Sequence, residues 1–382
     1  MNRKDFLKCI IGVSGFIFSR AIFGKNEKIS ASSNVFKNDA PKTLWKFSKE
    51  VYHYIKMGNT IQCTTCPNRC ILEQGDRGIC RDKVFIKNTD KLYNIAYGNP
   101  SSIHLDPVEK KPLYHFYPGT KAFSIATGGC PLRCLNCHNW ELSQSSPESL
   151  QFYELFPDQV IEKTIEYKSN SIAFDFSESV AWYEYMYDIA VKAKKKGIKN
   201  IWVTSGYIEE EPLKKLTEVI DAANVDLKSF SDKIYNNLNA GKLKPILNTL
   251  KILHKRNIWF EITCLLVPTY SDSLNMIRDM CRWILDNIGN SYPVHFTRFN
   301  SAYKLTHLPP TPVTTLENAY QIALNAGLKY VYIGNVPGTK ASNTSCPACK
   351  KVIIERIGYE IIKNSIKNGK CSYCNTKIEG RW

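Results

Sequence analysis

Eleven of the fourteen cysteines in this 382-residue chain fall into three tight groups. The middle group has the spacing for the most demanding chemistry. Cys130-Pro-Leu-Arg-Cys134-Leu-Asn-Cys137 follows a short apolar run, 122–126, and a Gly128-Gly129 turn. Three thiolates so spaced can reach three corners of one iron–sulfur cube from a single loop. The fourth corner has no partner inside the loop, and an open coordination position is where metal chemistry takes place. A structural zinc loop is the plainer use of the same three residues.

The other two groups read as metal sites as well. Cys63, Cys66, Cys70 and Cys80, with Gly75 and Gly78 at the turns, could close one tetrahedral zinc site or hold a second cluster. Cys346, Cys349, Cys371 and Cys374 form two C-x2-C knuckles, the pattern of a zinc ribbon. A ribbon this short has too little core of its own, so the metal would contribute folding energy directly. Cys264 and Cys281 sit in apolar surroundings and read as buried core thiols.

The elements that must hold these groups alternate. Apolar runs at 123–126, 171–176, 200–205, 223–227, 259–267, 294–299 and 330–334 predict strands. Amphipathic stretches at 157–167, 180–195, 212–220, 246–255, 274–288 and 315–326 predict helices between them. That order gives an α/β fold with a parallel sheet, a full or partial (β/α) barrel. In such barrels reactive groups gather at the C-terminal ends of strands. The cysteine loop follows the first strand. Glu178, flanked by Ser177 and Ser179, follows the second, and Ser205 the third. Asp226 and Lys228 follow the fourth, and His295 and Arg298 lie on the sixth. Around one mouth, this set suits a zwitterionic, nucleoside-bearing ligand. Residues 106–116 carry mixed charge and read as a loop, with His115 a ligand, a proton donor or a satisfied structural histidine.

Net charge is +16, but lysine is spread along the chain. The densest run, 192–199, has no interleaved aromatic and reads as a solvated helix face rather than a nucleic-acid patch. The apolar stretch 9–19 is too short to span a bilayer and has the proportions of a signal-peptide core. Before it, Arg3-Lys4-Asp5-Phe6-Leu7-Lys8 resembles a twin-arginine export motif with lysine in the second arginine's place. Residues 25–42 read as a polar linker.

Taken together, the ordered motifs resemble one family along almost the whole chain: the AmmeMemoRadiSam-system radical S-adenosylmethionine (SAM) enzymes, similar to pyruvate formate-lyase activating enzyme. The likeness rests on Cys63-x2-Cys66-Pro-x2-Cys70 with Gly75, Gly78 and Cys80, on Asp106-Pro-x-Glu-Lys-Lys-Pro-Leu-Tyr-His-Phe, and on the cysteine loop. It continues through Trp182-Tyr-Glu-Tyr185, Asp226-Leu-Lys228, His295-Phe-x-Arg298-Phe, Leu308-Pro-Pro-Thr-Pro312, Tyr332-x-Gly-Asn-Val-Pro-Gly338 and Gly380-Arg-Trp382. The resemblance implies a radical SAM barrel with an N-terminal Cys-rich region and a C-terminal zinc-ribbon-like region. The divisions expected are a signal-like or disordered tail (1–34), the Cys-rich region (35–120), the radical SAM core (121–340) and the ribbon (341–382).

It further implies a [4Fe-4S] cluster on Cys130, Cys134 and Cys137, which cleaves SAM reductively to a 5′-deoxyadenosyl radical that abstracts hydrogen from a substrate. SAM contacts are implied near Glu178, Ser205, Asp226, Lys228 and His295. An external one-electron donor, zinc, Memo-type and AMMECR-type partners and a cytoplasmic setting belong to the same expectation. Three positions depart from the family pattern: Asn136 where an aromatic is usual, Ser177-Glu178-Ser179 for Asn-Glu-Pro, and Cys137-His138-Asn139 for Cys-Gln-Asn. An activase that makes a glycyl radical on a partner protein is the nearest alternative. An iron–sulfur electron carrier or a zinc-dependent nucleic-acid adaptor is the alternative from another class.

Overall fold

Seven short apolar runs become seven parallel strands, because each is buried on both faces. The computed structural model describes residues 46–86 and 88–382; the tail 1–34 and the 25–42 linker lie outside the described residues. The sheet has eight strands: β1 (Ser102–Pro107), β2 (Lys121–Ala126), β3 (Ser171–Phe174), β4 (Lys199–Thr204), β5 (Ala222–Asp226), β6 (Trp259–Leu266), β7 (Val294–Arg298) and β8 (Val331–Gly334), paired in that order. Strands β2 to β8 run parallel, and β1 is antiparallel to β2. Every residue of β3 is buried, as is all of β6 except Leu265, the signature of strands covered on both sides. Among the described residues β8 does not pair with β1, so the barrel is partial.

Six helices complete the crossovers: α1 (Pro157–Glu166), α2 (Tyr183–Lys195), α3 (Glu210–Leu216), α4 (Leu243–Lys255), α5 (Leu274–Ile288) and α6 (Val313–Ala326). In α5 the buried residues are Ile277, Met280, Cys281, Ile284 and Ile288, one stripe at helical spacing. The Ser273 hydroxyl accepts from the Met276 N–H and starts that helix. Gly327, at a φ of 109°, ends α6 in the left-handed conformation that a side chain resists. Cys264 and Cys281 are both buried in this core.

The stretch read as a loop from Asp106 is irregular from Lys111 onward, but it does not begin as one. Ser102–Pro107 is the antiparallel edge strand β1, with Asp106 in register with Ala122, and one turn of 3-10 helix follows at Val108–Lys110. Its charges other than Lys110 are buried. The fully buried Lys111 ammonium bridges Asp106 at 2.7 Å and Asp175 at 2.6 Å, which is what lets a charged segment lie against the barrel. His115 is buried and structural. Its Nδ1–H donates to the Glu379 carbonyl at 2.7 Å, so Nε2 accepts from the Tyr332 hydroxyl at 2.6 Å.

That bonding requires neutral imidazole, and burial pushes the His115 pKa down to about 4. Unfolded, the ring titrates near 6.5. Its native pKa is lowered, so its contribution is intact above about pH 6.5 and drains away as pH falls toward 4, up to about 3 kcal/mol. Urea unfolding at pH 7 and pH 5 should show a larger loss for the wild type than for His115→Gln. Parallel losses would show that other groups set the acid limit.

The N-terminal part is small and antiparallel. One three-stranded sheet joins Tyr54–Met57, Thr60–Cys63 and Ile71–Leu72; another joins Lys49–Glu50, Leu92–Asn94 and Lys83–Phe85. It is fastened to α2 by a buried ion pair, Lys83 Nζ to Glu184 Oε2 at 2.8 Å, with side-chain exposures of 2% and 0%. Asn94 and the Tyr52 N–H donate to the same carboxylate. Lys83→Met strands that charge, so it should cost about 3–5 kcal/mol in urea unfolding. A loss below about 1 kcal/mol would mean the two neutral donors suffice.

The C-terminal part begins near Thr344. Strands β9 (Val352–Ile357) and β10 (Glu360–Asn364) form a hairpin on its flank. Arg356 on β9 anchors it to the barrel by donating to the Tyr114 and Ser342 carbonyls and the Thr344 hydroxyl. The Cys346 and Cys374 sulfurs lie 3.5 Å apart and those of Cys349 and Cys371 3.8 Å apart.

Candidate active site

The cysteine loop leaves the C-terminal end of β2 and is clamped from three sides. Gly129 has a φ of 94°, and a Cβ there would meet the Asp82 carboxylate at 2.2 Å, so only glycine fits. The Arg133 and Leu135 N–H groups donate to the Asn239 and Leu238 carbonyls of the segment after β5. Asn139 donates its side-chain amide to the Phe176 carbonyl after β3. The loop is therefore held by the elements that carry the other candidate residues.

Cys130, Cys134 and Cys137 line one cavity of about 230 Å³ with Glu178, Ser205, Asp226 and Lys228. Each sulfur has a neighbour that suits a thiolate: the Leu132 N–H at 3.4 Å from Cys130, the Asn239 amide at 3.2 Å from Cys134 and the Ser143 hydroxyl at 3.2 Å from Cys137. Burial pushes the Cys134 thiol up to about 11 and the Cys130 thiol well above its usual range. Without a cation these groups stay protonated; a bound metal would draw the protons off.

Glu178 is buried. Its carboxylate accepts from the Thr204 hydroxyl at 2.8 Å, the Ser205 N–H at 2.7 Å and the Ser205 hydroxyl. Burial pushes its pKa up against the pull of these donors. Both flanking serines are held by buried tryptophans: the Trp182 indole donates to Ser177 Oγ at 2.9 Å and the Trp202 indole to Ser179 Oγ at 3.0 Å. Lys228 donates to Asp226 at 2.7 Å. Burial opposes the Lys228 charge, but Asp226 and Cys134 outweigh it and hold the pKa well above the ordinary lysine value. Asn136 also lines this cavity, and its buried Oδ1 has no hydrogen-bond partner.

His295 is the candidate that the fold does not bring to the cysteines. It lines a neighbouring cavity of about 1170 Å³ with Tyr114, Thr263, Thr297 and Arg356. Its Nε2 is committed to Glu261 Oε2 at 2.7 Å. Glu261 also accepts from the Tyr114 and His115 N–H groups. Burial works against its charge, yet His295 and these donors hold its pKa below the usual range. Arg298 is likewise committed, to the Thr311 carbonyl at 2.9 Å. Asp226 belongs to both cavities and is their common wall. Glu261 was missed from sequence, although a charge inside the run Trp259-Phe-Glu-Ile-Thr-Cys is itself a sign of a buried partner. Asn239 gave no signal at all.

Residues 124–284 match the Radical SAM superfamily. The uncharacterized protein MJ0808 of Methanocaldococcus jannaschii is 42% identical over 334 residues, spanning 87% of this chain and 99% of its own. The chain belongs to the radical SAM superfamily. The pyruvate formate-lyase 1-activating enzyme of Escherichia coli (strain K12) is 24% identical over 226 residues, 53% of this chain and 89% of that one. A radical SAM methyltransferase structure from Sphaerobacter thermophilus covers 78% of this chain and 82% of its own at a TM-score of 0.45 and 12% identity.

This radical SAM enzyme therefore uses a [4Fe-4S] cluster and SAM, and the cavity suits both: three bonded thiols, an ammonium and carboxylates line it. A second metal position is present at the C-terminus, where the four sulfurs of Cys346, Cys349, Cys371 and Cys374 all lie within 4.8 Å of one another. No helix among the described residues is long and apolar enough to cross a membrane.

Proposed function

We propose that Cys130, Cys134 and Cys137 hold the [4Fe-4S] cluster and that Glu178, Ser205, Asp226 and Lys228 receive SAM. The observation that carries this reading is the single cavity that all seven residues line. When bound, a reduced cluster would supply the one electron that cleaves the SAM sulfonium, and SAM would supply the hydrogen-abstracting adenosyl group. The chain's own residues do the rest. Asn239 and Ser143 keep the sulfurs oriented. Glu178, aimed by Ser205 and Thr204, holds a carboxylate toward an ammonium group. Lys228 offers the complementary charge to a carboxylate. His295 is withdrawn from this set.

The substrate occupies the larger cavity and meets SAM across Asp226. Its walls are mixed in charge, with Glu109, Lys110 and Arg356 among them, so the substrate is polar. The C-terminal cysteines hold zinc, and the chain divides as 35–120, 121–340 and 341–382 behind its 1–34 tail. A glycyl-radical activase remains the second reading, favoured by the activating-enzyme relatives. Memo-type and AMMECR-type proteins are the partners the family resemblance suggests, in a cytoplasmic setting that the twin-arginine-like start leaves open to export. Co-purification tests the partners.

The test of the chemistry is direct. Anaerobically reconstituted protein, given dithionite and SAM, should release 5′-deoxyadenosine and methionine in equal amounts without its substrate. A full cluster that leaves SAM intact would end this reading in favour of an electron carrier.

A further inference from the structure

Cys63, Cys66, Cys70 and Cys80 have no part in the reading above, yet they are built into a site. Cys63 closes a strand, its N–H donates to the Cys70 carbonyl at 2.9 Å, and the Arg69 N–H turns back to the Cys66 carbonyl at 3.1 Å. Cys63, Cys66 and Cys80 are buried, and Cys70 is half-buried. A Cβ at Gly78 would touch the Cys80 and Cys70 sulfurs at 3.6 and 3.9 Å.

Sulfur spacing separates the two metals such a site could take. One tetrahedral zinc, with bonds of about 2.3 Å, draws four sulfurs to roughly 3.8 Å from each other. The C-terminal four are gathered in that way, all within 4.8 Å. Among the described residues, no three of Cys63, Cys66, Cys70 and Cys80 meet that limit, nor do Cys130, Cys134 and Cys137. A four-iron cube puts a separate iron behind each thiolate and keeps the sulfurs farther apart. The N-terminal four, like the three of the cluster loop, are thus not drawn together to zinc spacing as the ribbon's are.

Position gives a second, independent observation. The Cys130 N–H donates to the Cys80 carbonyl at 3.2 Å, so a thiol residue of one site is one hydrogen bond from a thiol residue of the other. Asn68 donates to the Pro131 carbonyl at 2.8 Å, and Arg133 reaches the Ile79 carbonyl at 3.4 Å. Between the loops lies the Asp82 side chain, fully buried and with both oxygens unpartnered, pressed against Gly129. A purely structural zinc knuckle needs no such seam with the catalytic loop.

We infer that Cys63, Cys66, Cys70 and Cys80 hold a second four-iron cluster, through which a low-potential one-electron reductant charges the cluster at Cys130. One electron leaves the reductant, reduces the N-terminal cluster, and moves on to the second site, returning the first to its oxidised state. No bond changes and no proton moves. The half-buried edge at Cys70 is where the electron enters. This inference rests on the cluster reading of the Cys130 loop.

The full chain, reconstituted anaerobically with iron and sulfide, should contain about eight irons and one zinc. Reduced with dithionite, it should show two S = 1/2 electron-spin resonances per chain, only one of them altered by SAM. About four irons with two zincs, or a single spin per chain, overturns the inference. The triple variant Cys130→Ala/Cys134→Ala/Cys137→Ala separates the two proposals. It should keep about four irons and a resonance that SAM leaves unchanged. If it keeps none while the wild type holds about four, the second cluster is absent and the catalytic one stands. If the wild type's only iron survives in the triple variant, the catalytic assignment falls instead.

Discussion

Replacing any one of Cys130, Cys134 or Cys137 by alanine will abolish 5′-deoxyadenosine formation, a loss of at least about a thousandfold on the scale of removing an essential catalytic group. Three thiols are the whole protein contribution to the proposed catalytic cluster, and each is oriented by its own neighbour: Leu132, Asn239 or Ser143. Two thiolates cannot retain a cube that already has one iron without a protein ligand. Glu178→Gln provides the contrast. The site keeps its iron, because Glu178 touches the serine and threonine donors rather than the sulfurs. SAM should bind more weakly by about 1.5–3 kcal/mol, the worth of one charged hydrogen bond. Iron content and product release on the same preparations check both. A single cysteine variant that still makes 5′-deoxyadenosine at more than a few percent of wild type would mean that the loop is not the cluster's seat.

The second large effect is expected at the other end of the chain. Cys346→Ser should remove one zinc per chain and unfold the segment that carries β9 and β10. In small zinc modules, metal binding of roughly 10–16 kcal/mol is the folding free energy, and the hairpin here leaves Ile357, Tyr359 and Ile362 exposed rather than packed in a core of its own. The consequence should reach the substrate. Arg356, Ile357 and Tyr359 wall the larger cavity, so turnover of the true substrate should fail while slow, substrate-free cleavage of SAM continues. Zinc analysis and hydrogen exchange over 344–378 report the first effect. Retained zinc, or unchanged amide protection, would show that fewer than four thiols suffice.

The sequence was most readable where burial leaves only one solution. The parallel strands announce themselves because Ser171–Phe174 and Ala222–Asp226 are covered on both faces and admit little beyond apolar residues. The cysteine loop stood out by residue type and spacing, and the structure brings its three thiols to one cavity. Strand β1 was not. As an edge strand it carries Asp106 and ends at Pro107, and its charge is answered by Lys111, whose burial only the tertiary structure supplies. The strand-end rule also nominated His295 without seeing that Glu261 on the adjacent β6, two residues before His295's register partner Thr263, would claim it. A rule about which end of a strand faces the site cannot say which side chains are already spoken for.

His115 also sets an order of events during synthesis. Its carbonyl accepts from the Arg381 N–H at 2.7 Å, and the Glu379 carbonyl that caps its ring lies 264 residues later in the chain. Chains emerge from the ribosome N-terminus first and fold in that direction. The aromatic wall of His115, Tyr330 and Tyr332 is therefore complete only once Tyr332 is made, and it stays uncovered until residues 379–382 follow.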